Sequence, residues 1–274
     1  MADIGGLQIT GAGKIYDPGG IHVVAVDNVS LSIAPGEFCV VVGPSGCGKT
    51  TLLNAIAGFD QLTSGTIDMD GELLASPGKK LLPGPDRMVV FQHGALFPWK
   101  TVLWNVTSGP VKRGQAQMAE AAEKARELMS RVGLQGIDEQ FPEALSGGQK
   151  RRVEIVRALM SDPKVLLLDE PFRALDALTK SVVQEHLLEL YDFERKTIFF
   201  ITHDLEEAIF LADRVAVMTT RPGRIKKIVD VDIPRPRDHH VLTTDRFLEL
   251  KSELGEAIYE EAKLAFEAGE RELA

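Results

Sequence analysis

The sequence predicts an α/β protein: a parallel sheet covered by helices, an antiparallel β portion beside it, and an inserted α-helical subdomain. Three observations predict this. Short apolar runs rich in β-branched residues alternate with helix-period segments, which implies a parallel sheet buried on both faces. The first three runs crowd together without helices between them, as antiparallel strands do. From residue 96 to about residue 160 the strand-like runs vanish and helical periodicity takes over.

Taken in order, strands are expected over residues 23–26, 29–33, 38–42, 88–91, 165–168, 198–201 and 215–218. Ala34-Pro35-Gly36 joins the second run to the third, a composition that turns the chain. Helices are expected over residues 50–57, 115–132, 148–160, 178–195 and 205–212. Pro234-Arg235-Pro236-Arg237 ends the alternation, because proline interrupts helices and central strands. Past it, Phe247, Leu250, Leu254, Ile258 and Ala262 fall on one helical face, so the tail reads as an amphipathic helix. The main domain is bounded at residues 7–237, with the helical subdomain at about 96–160 and a helical extension at 238–274.

The chain has 274 residues, 44% hydrophobic and 26% charged, which is ordinary for a globular protein with a full core. A formal charge of −9 argues against a protein that coats nucleic acid, which needs a basic face. The first residues, Met1-Ala2-Asp3-Ile4, lack the positive and apolar segments of a secretory signal. No apolar run approaches the roughly 20 residues that span a bilayer. A location in the cytoplasm or on the cytoplasmic face of a membrane is expected. The two cysteines, Cys39 and Cys47, have no metal-ligand spacing, which fits a reducing compartment.

The strongest single signal is Gly43-Pro44-Ser45-Gly46-Cys47-Gly48-Lys49-Thr50, an ungapped GxxxxGK[ST] pattern, followed by Thr51. An apolar strand precedes it and a helical pattern begins at Thr50. Glycines let the backbone wrap phosphate with its N–H groups turned inward, and the next helix presents its positive end. Lys49 adds a full charge toward the β and γ phosphates, and the Thr50 hydroxyl is placed to ligate magnesium. A helix terminus contributes at most about 2 kcal/mol, whereas micromolar binding needs about 8 kcal/mol. The lysine, the metal and a base contact must supply much of the rest. Cys47 is read as a small side chain tolerated in this loop in preference to a regulatory thiol, and the sequence leaves its redox sensitivity open.

The run Val165-Leu166-Leu167-Leu168 ends in Asp169-Glu170. Four apolar residues fit a strand buried on both faces, which delivers two carboxylates to its C-terminal edge, where open α/β sheets bind ligands. Side chains alternate along a strand, so the two acids do different work. Asp169 suits magnesium; Glu170 suits orienting the attacking water and accepting its proton.

Leu145-Ser146-Gly147-Gly148-Gln149 lies upstream of the acidic pair and opens a helix, creating a second anion site. With this pentapeptide the chain resembles the ABC ATPases, whose signature is LSGGQ, over roughly residues 7–237. The resemblance implies a P-loop NTPase fold of the ABC type and assigns further residues. Tyr16 takes the place of the aromatic that stacks on adenine. Gln92 matches the Q-loop glutamine that senses magnesium and the γ phosphate. Asp176 matches the D-loop aspartate that links two active sites across a dimer, and His203 matches the H-loop histidine that donates to the γ phosphate.

The same resemblance implies two such domains head to tail, with ATP on the phosphate loop of one capped by Ser146 and Gly148 of the other. ATP and magnesium are the implied cofactors. Leu96-Phe97-Pro98-Trp99, residues 171–180 and residues 233–238 are similar to the nitrate, sulfonate and taurine import ATPases. This implies a second copy, an integral membrane permease and, indirectly, a solute-binding protein as partners at a bacterial inner membrane. In the family, the segment 95–106 meets a coupling helix of the permease; Trp99 and Trp104 suit that interface or the subdomain core equally. Arg173, the Lys150-Arg151-Arg152 run, Glu154 and Val156 depart from the subgroup pattern without removing a catalytic residue. His239-His240 reads as a solvated pair.

Two other classes stay open. A soluble ABC ATPase of the DNA-repair or iron–sulfur-assembly type usually brings insertions, coiled coils or basic surfaces. A nucleotide-controlled switch usually lacks Glu170 or His203. ATPase activity with and without a membrane partner separates all three.

Overall fold

The computed structural model describes residues 5–17, 20–79 and 81–267, with side chains through residue 264. In chain order the elements are β1 (Leu7–Tyr16), β2 (Val23–Ile33), β3 (Phe38–Val42), α1 (Lys49–Ala57), β4 (Ser64–Met69), β5 (Glu72–Ala75) and β6 (Arg87–Val90). There follow α2 (Val102–Lys112), α3 (Met118–Arg131), α4 (Gly147–Leu159), β7 (Val165–Asp169) and α5 (Ala177–Glu194). The chain closes with β8 (Thr197–Ile201), α6 (Leu205–Leu211), β9 (Arg214–Met218), β10 (Ile225–Asp230) and α7 (Asp245–Glu267). Residues up to Gly84 and from Thr197 onward form one compact unit, and Pro85–Lys196 forms another.

In unit one, β1 pairs antiparallel with β2 and β4, giving the order β2-β1-β4-β5. The third run, expected with the antiparallel portion, is not part of it: β3 pairs parallel with both β8 and β9, because its five residues are all buried, and β10 lies antiparallel on β9. Every residue of β3 and β8 is buried, and Phe38 meets Phe200 with ring centroids 5.9 Å apart. Each fully buried Val, Ile or Phe contributes about 1.5–3 kcal/mol relative to exposure, so these two strands anchor the unit. α1 adds Leu52, Leu53 and Ile56 to that core.

The tail packs on the same unit. Phe247, Leu250 and Leu254 of α7 are buried, as expected, but Ile258 is half-buried and Ala262 is exposed. Ala257 and Glu261 take the inward positions instead, because the buried stripe follows a three-four spacing that drifts off the expected face. Glu261 is accommodated by charge and hydrogen bonding: it accepts the Thr220 N–H at 2.9 Å and pairs with Lys226 at 2.9 Å. The preceding proline segment is locked by buried Arg237, whose guanidinium donates to the carbonyls of Ile209, Phe210, Ala212, Val231 and Ile233. His239 stacks on Phe210 rather than standing fully in solvent. Residues 268–274 of the expected extension lie outside the described residues.

Two strands expected at residues 23–26 and 29–33 are one strand, β2. Asn28 adopts φ 50°, and the register against β1 shifts on either side of it, so the chain kinks without leaving the sheet. β1, β4, β5 and β10 were not foreseen from the apolar pattern.

In unit two, β6 pairs parallel with β7, all of whose residues are buried. The helices α2–α5 lie in this unit together with those strands. Fully buried Asn105 of α2 shapes the segment before it. Its Oδ1 accepts the Phe97 N–H, and its Nδ2 donates to the carbonyls of Phe97, Lys100 and Thr101. Among the described residues no helix is long and apolar enough to cross a membrane.

Candidate nucleotide-binding and hydrolysis residues

Residues 43–50 connect the C-terminal end of β3 to the first turn of α1. Gly48 stands at the N-cap with φ 97°, and no side chain caps the helix there. A Cβ at Gly48 would lie 2.6 Å from the Ala25 carbonyl oxygen, so both conformation and space demand glycine. Lys49 is nearly buried, and its ammonium donates to the carbonyls of Gly43 at 2.8 Å and Pro44 at 2.9 Å. Ser45, Gly46 and Thr50 are exposed, and Thr51 is half-buried. Cys47 is fully buried; burial pushes its thiol up against the opposing pull of Lys49, whose ammonium donates to its Sγ at 3.7 Å.

Tyr16 ends β1 and is tied to the residues after α1. Its hydroxyl donates to Asp60, which also pairs with Lys14, and the Lys14 ammonium lies 4.8 Å from the Tyr16 ring centre. Burial and then the Asp60 hydrogen bond raise the Tyr16 phenol, with Thr51 pulling the other way. For Asp60, burial would raise the carboxyl, but the hydrogen bonds from Lys14 and Tyr16 outweigh it and hold it below the usual range. His203 is exposed between β8 and α6, just before Asp204, whose carboxylate caps α6 by accepting the Glu206 and Glu207 N–H groups.

A turn between β9 and β10 backs the phosphate loop. Gly223 accepts the Asp27 N–H and donates to Ala25, and a Cβ on it would fall 2.0 Å from the Cys47 carbonyl oxygen. The Arg221 guanidinium lies against Gly46: a Cβ there would sit 3.1 Å from its Nη2. Sequence reading missed this turn, and its only signal was Arg221-Pro222-Gly223, a turn composition past a strand.

In unit two, Asp169 is the last residue of β7 and is buried, while Glu170 follows with φ 42° and a carboxylate 14% exposed. The left-handed turn at Glu170 separates the two acids in conformation. Arg173 reaches back to Glu170 Oε2 at 3.2 Å. Gln92 is half-buried after β6, and its side chain makes no hydrogen bond among the described residues. Its carbonyl accepts from Arg151.

Ser146 caps α4 in a reciprocal box: its Oγ accepts the Gln149 N–H at 3.2 Å, and its own N–H donates to Gln149 Oε1 at 2.9 Å. Ser146 and Gly147 are exposed, whereas Leu145 and Gly148 are buried. A Cβ on Gly148 would stand 2.4 Å from Thr179 Cγ2, so this glycine serves α4–α5 packing. Asp176 caps α5 by accepting the Thr179 N–H at 3.0 Å, a bond that lowers its carboxyl from the usual value.

A strand–glycine loop–helix with a basic side chain folded over it defines a nucleoside-triphosphate-binding α/β protein. The family model described as ABC transporter matches residues 26–173, and the chain belongs to that family. It is 42% identical to the nitrate import ATP-binding protein NrtD of Synechococcus elongatus, over 93% of this chain and 92% of that protein. It is 38% identical to the aliphatic sulfonates import ATP-binding protein SsuB of Bacillus cereus, over 90% and 94% of the two chains. Among solved structures it is similar to a dimeric ATP-binding cassette in a post-hydrolysis state bound to ADP and Pi. That match has a TM-score of 0.69 and 29% identity over 83% of this chain and all of the other. The fold is that of an ABC ATPase, and the protein binds and hydrolyses ATP.

Proposed function

We propose that this chain is the motor subunit of an importer for a small oxyanion or small organic solute, of the nitrate, sulfonate or taurine kind. The observation that carries the reading is the near full-length similarity to two import ATP-binding proteins, joined to a complete set of nucleotide motifs. Two copies pair head to tail, each phosphate loop (Gly43 to Thr50, with Thr51) facing the signature of its twin, and Tyr16 stacking on adenine. They sit on the cytoplasmic face of a bacterial inner membrane against a permease fed by a solute-binding protein. The exposed ring of Trp99, with Phe97 5.8 Å from it and Trp104 beyond, supports a permease contact over a buried role for Trp99.

Magnesium fits the donors present. Thr50, Gln92 and Asp169 offer oxygen ligands, and Mg²⁺ is commonly held by one or two carboxylates plus substrate phosphates and water. When bound, it neutralises phosphate charge. Among the described residues no three His, Cys, Asp or Glu gather, so the donors form no all-carboxylate cage.

Lys49 and the loop N–H groups hold the phosphates, and His203 donates to the γ phosphate. Glu170 orients a water and takes its proton as the water oxygen bonds to the γ phosphorus and the bond to the β–γ bridging oxygen breaks. Ser146 of the second copy completes the clamp, and Asp176 links the two sites. Loss of the γ phosphate opens the pair, which couples chemistry to movement of the permease.

The test is Glu170→Gln. It is expected to bind ATP as the parent does, to hydrolyse it at a small fraction of the parental rate, and to elute as a dimer in ATP and a monomer without it. Parental turnover would remove Glu170 from this role. Co-reconstitution with the permease, followed by uptake of nitrate, taurine and alkanesulfonates, identifies the cargo. An ATPase rate indifferent to the permease points to the soluble class.

A further inference from the structure

Three side chains of α4 grip the short segment that follows β6. Arg151 donates through Nη1 to the Phe91 carbonyl and through Nη2 to the Gln92 carbonyl, both at 2.7 Å. Glu154 Oε1 accepts the Ala95 N–H at 2.7 Å, and Arg157 Nη1 donates to the Ala95 carbonyl at 2.7 Å. Arg151 and Glu154 also pair with each other at 2.8 Å, their side chains only 8% and 5% exposed. Gly94 completes the fit, since a Cβ there would stand 3.1 Å from Glu154 Oε1.

A buried ion pair is poor value as stability alone, because desolvation offsets much of the attraction and well-packed apolar residues often do as well. What this pair supplies is direction. Charge-assisted hydrogen bonds of this length fix backbone groups at both ends of the 91–95 segment against one rigid helix. That helix is the one opened by Ser146.

We propose that the Arg151–Glu154 pair, seconded by Arg157, is the positioning brace of Gln92, binding the Q-loop segment to the signature helix so that the two move as one body. The inference rests on Gln92 being a contact for magnesium and the γ phosphate. None of the three braces touches nucleotide; they act through the backbone of Gln92 and its neighbours.

The test uses the full chain with Arg151→Gln and Glu154→Ala combined, which removes both charges of the pair and leaves Arg157 its bond to the Ala95 carbonyl. Nucleotide affinity without Mg²⁺ is expected to stay at the parental value, because the phosphate loop is untouched. Turnover, or the Mg²⁺ concentration needed for half-maximal rate, should worsen by about tenfold or more, the usual cost of losing outer-shell support. Amide exchange at Ala95 should accelerate. If the double variant fails to fold, Glu154→Gln, which keeps an acceptor for the Ala95 N–H, should show the same split more weakly. Arg151→Lys should restore part of the loss through a single carbonyl contact. Parental turnover and Mg²⁺ response in a folded brace variant would overturn the brace. Gln92→Ala, run alongside, separates the two ideas: if it too leaves the Mg²⁺ response unchanged, the role given to Gln92 is what fails.

Discussion

Arg173 Nη1 stands 3.2 Å from Glu170 Oε2, joining the residue read as the water-activating base to an arginine three positions on. The carboxylate is 14% exposed and the guanidinium 53% exposed, so solvent screens the pair. Its effect on stability is small; its effect on the carboxylate's orientation is the larger matter.

Arg173→Gly is therefore expected to leave the melting temperature nearly unchanged. Turnover should fall by roughly two- to fivefold, the rate equivalent of the ~0.5–1 kcal/mol of an exposed pair. The gap between variant and parent should narrow as salt rises, because screening shortens the reach of the pair. A steady-state ATPase titration in salt checks this, and a gap that widens with salt would contradict it.

Lys49→Ala removes the charge aimed at the phosphates and takes the ammonium from the Gly43 and Pro44 carbonyls, of which Pro44 keeps the Cys47 N–H as a donor. A charge-assisted hydrogen bond contributes roughly 1.5–3 kcal/mol, so calorimetric ATP affinity should drop by at least tenfold. Unchanged affinity would reject the phosphate-loop assignment.

Gly48→Ala should destabilise the chain by roughly 2–5 kcal/mol, the sum of a left-handed backbone strain and a forced collision. Gly71→Ala is the control: it shares a positive φ of 80° but meets nothing within 4 Å, so only the strain of about 1–2 kcal/mol applies. Urea unfolding of both variants should show the difference.

Asp60→Asn tests the sign of a linkage. The Asp60 carboxyl is lowered in the folded chain by Lys14 and Tyr16, against the effect of burial. Its stabilising contribution is present above the ordinary aspartate value of 3.8 and is lost as pH falls through the lower folded value. The variant should be less stable than the parent at neutral pH, and the two should converge in acid. A difference that grows toward low pH would reverse the assignment.

The elements visible in the sequence were those whose physics is local. β3, β7 and β8 are buried throughout and read as unbroken apolar runs. β1 and β4 carry glycines and polar residues on an alternating face, and β10 is mostly exposed, so no apolar run marks them. The candidate site was legible where spacing alone carries chemistry, as in Gly43 to Thr50. The supports were not: Arg173 to Glu170 depends on a turn with φ 42°, and Arg151 to Gln92 joins residues far apart in the chain. Their signal was only a charge where a small or neutral residue is common.

Glu261 lies near the far end of α7, yet it holds Thr220 in the turn whose Gly223 and Arg221 press on the phosphate loop. A chain cut before Glu261 would lose this acceptor for the Thr220 N–H and the carboxylate that pairs with Lys226, so the end of α7 belongs to the support of the phosphate loop as much as to the tail.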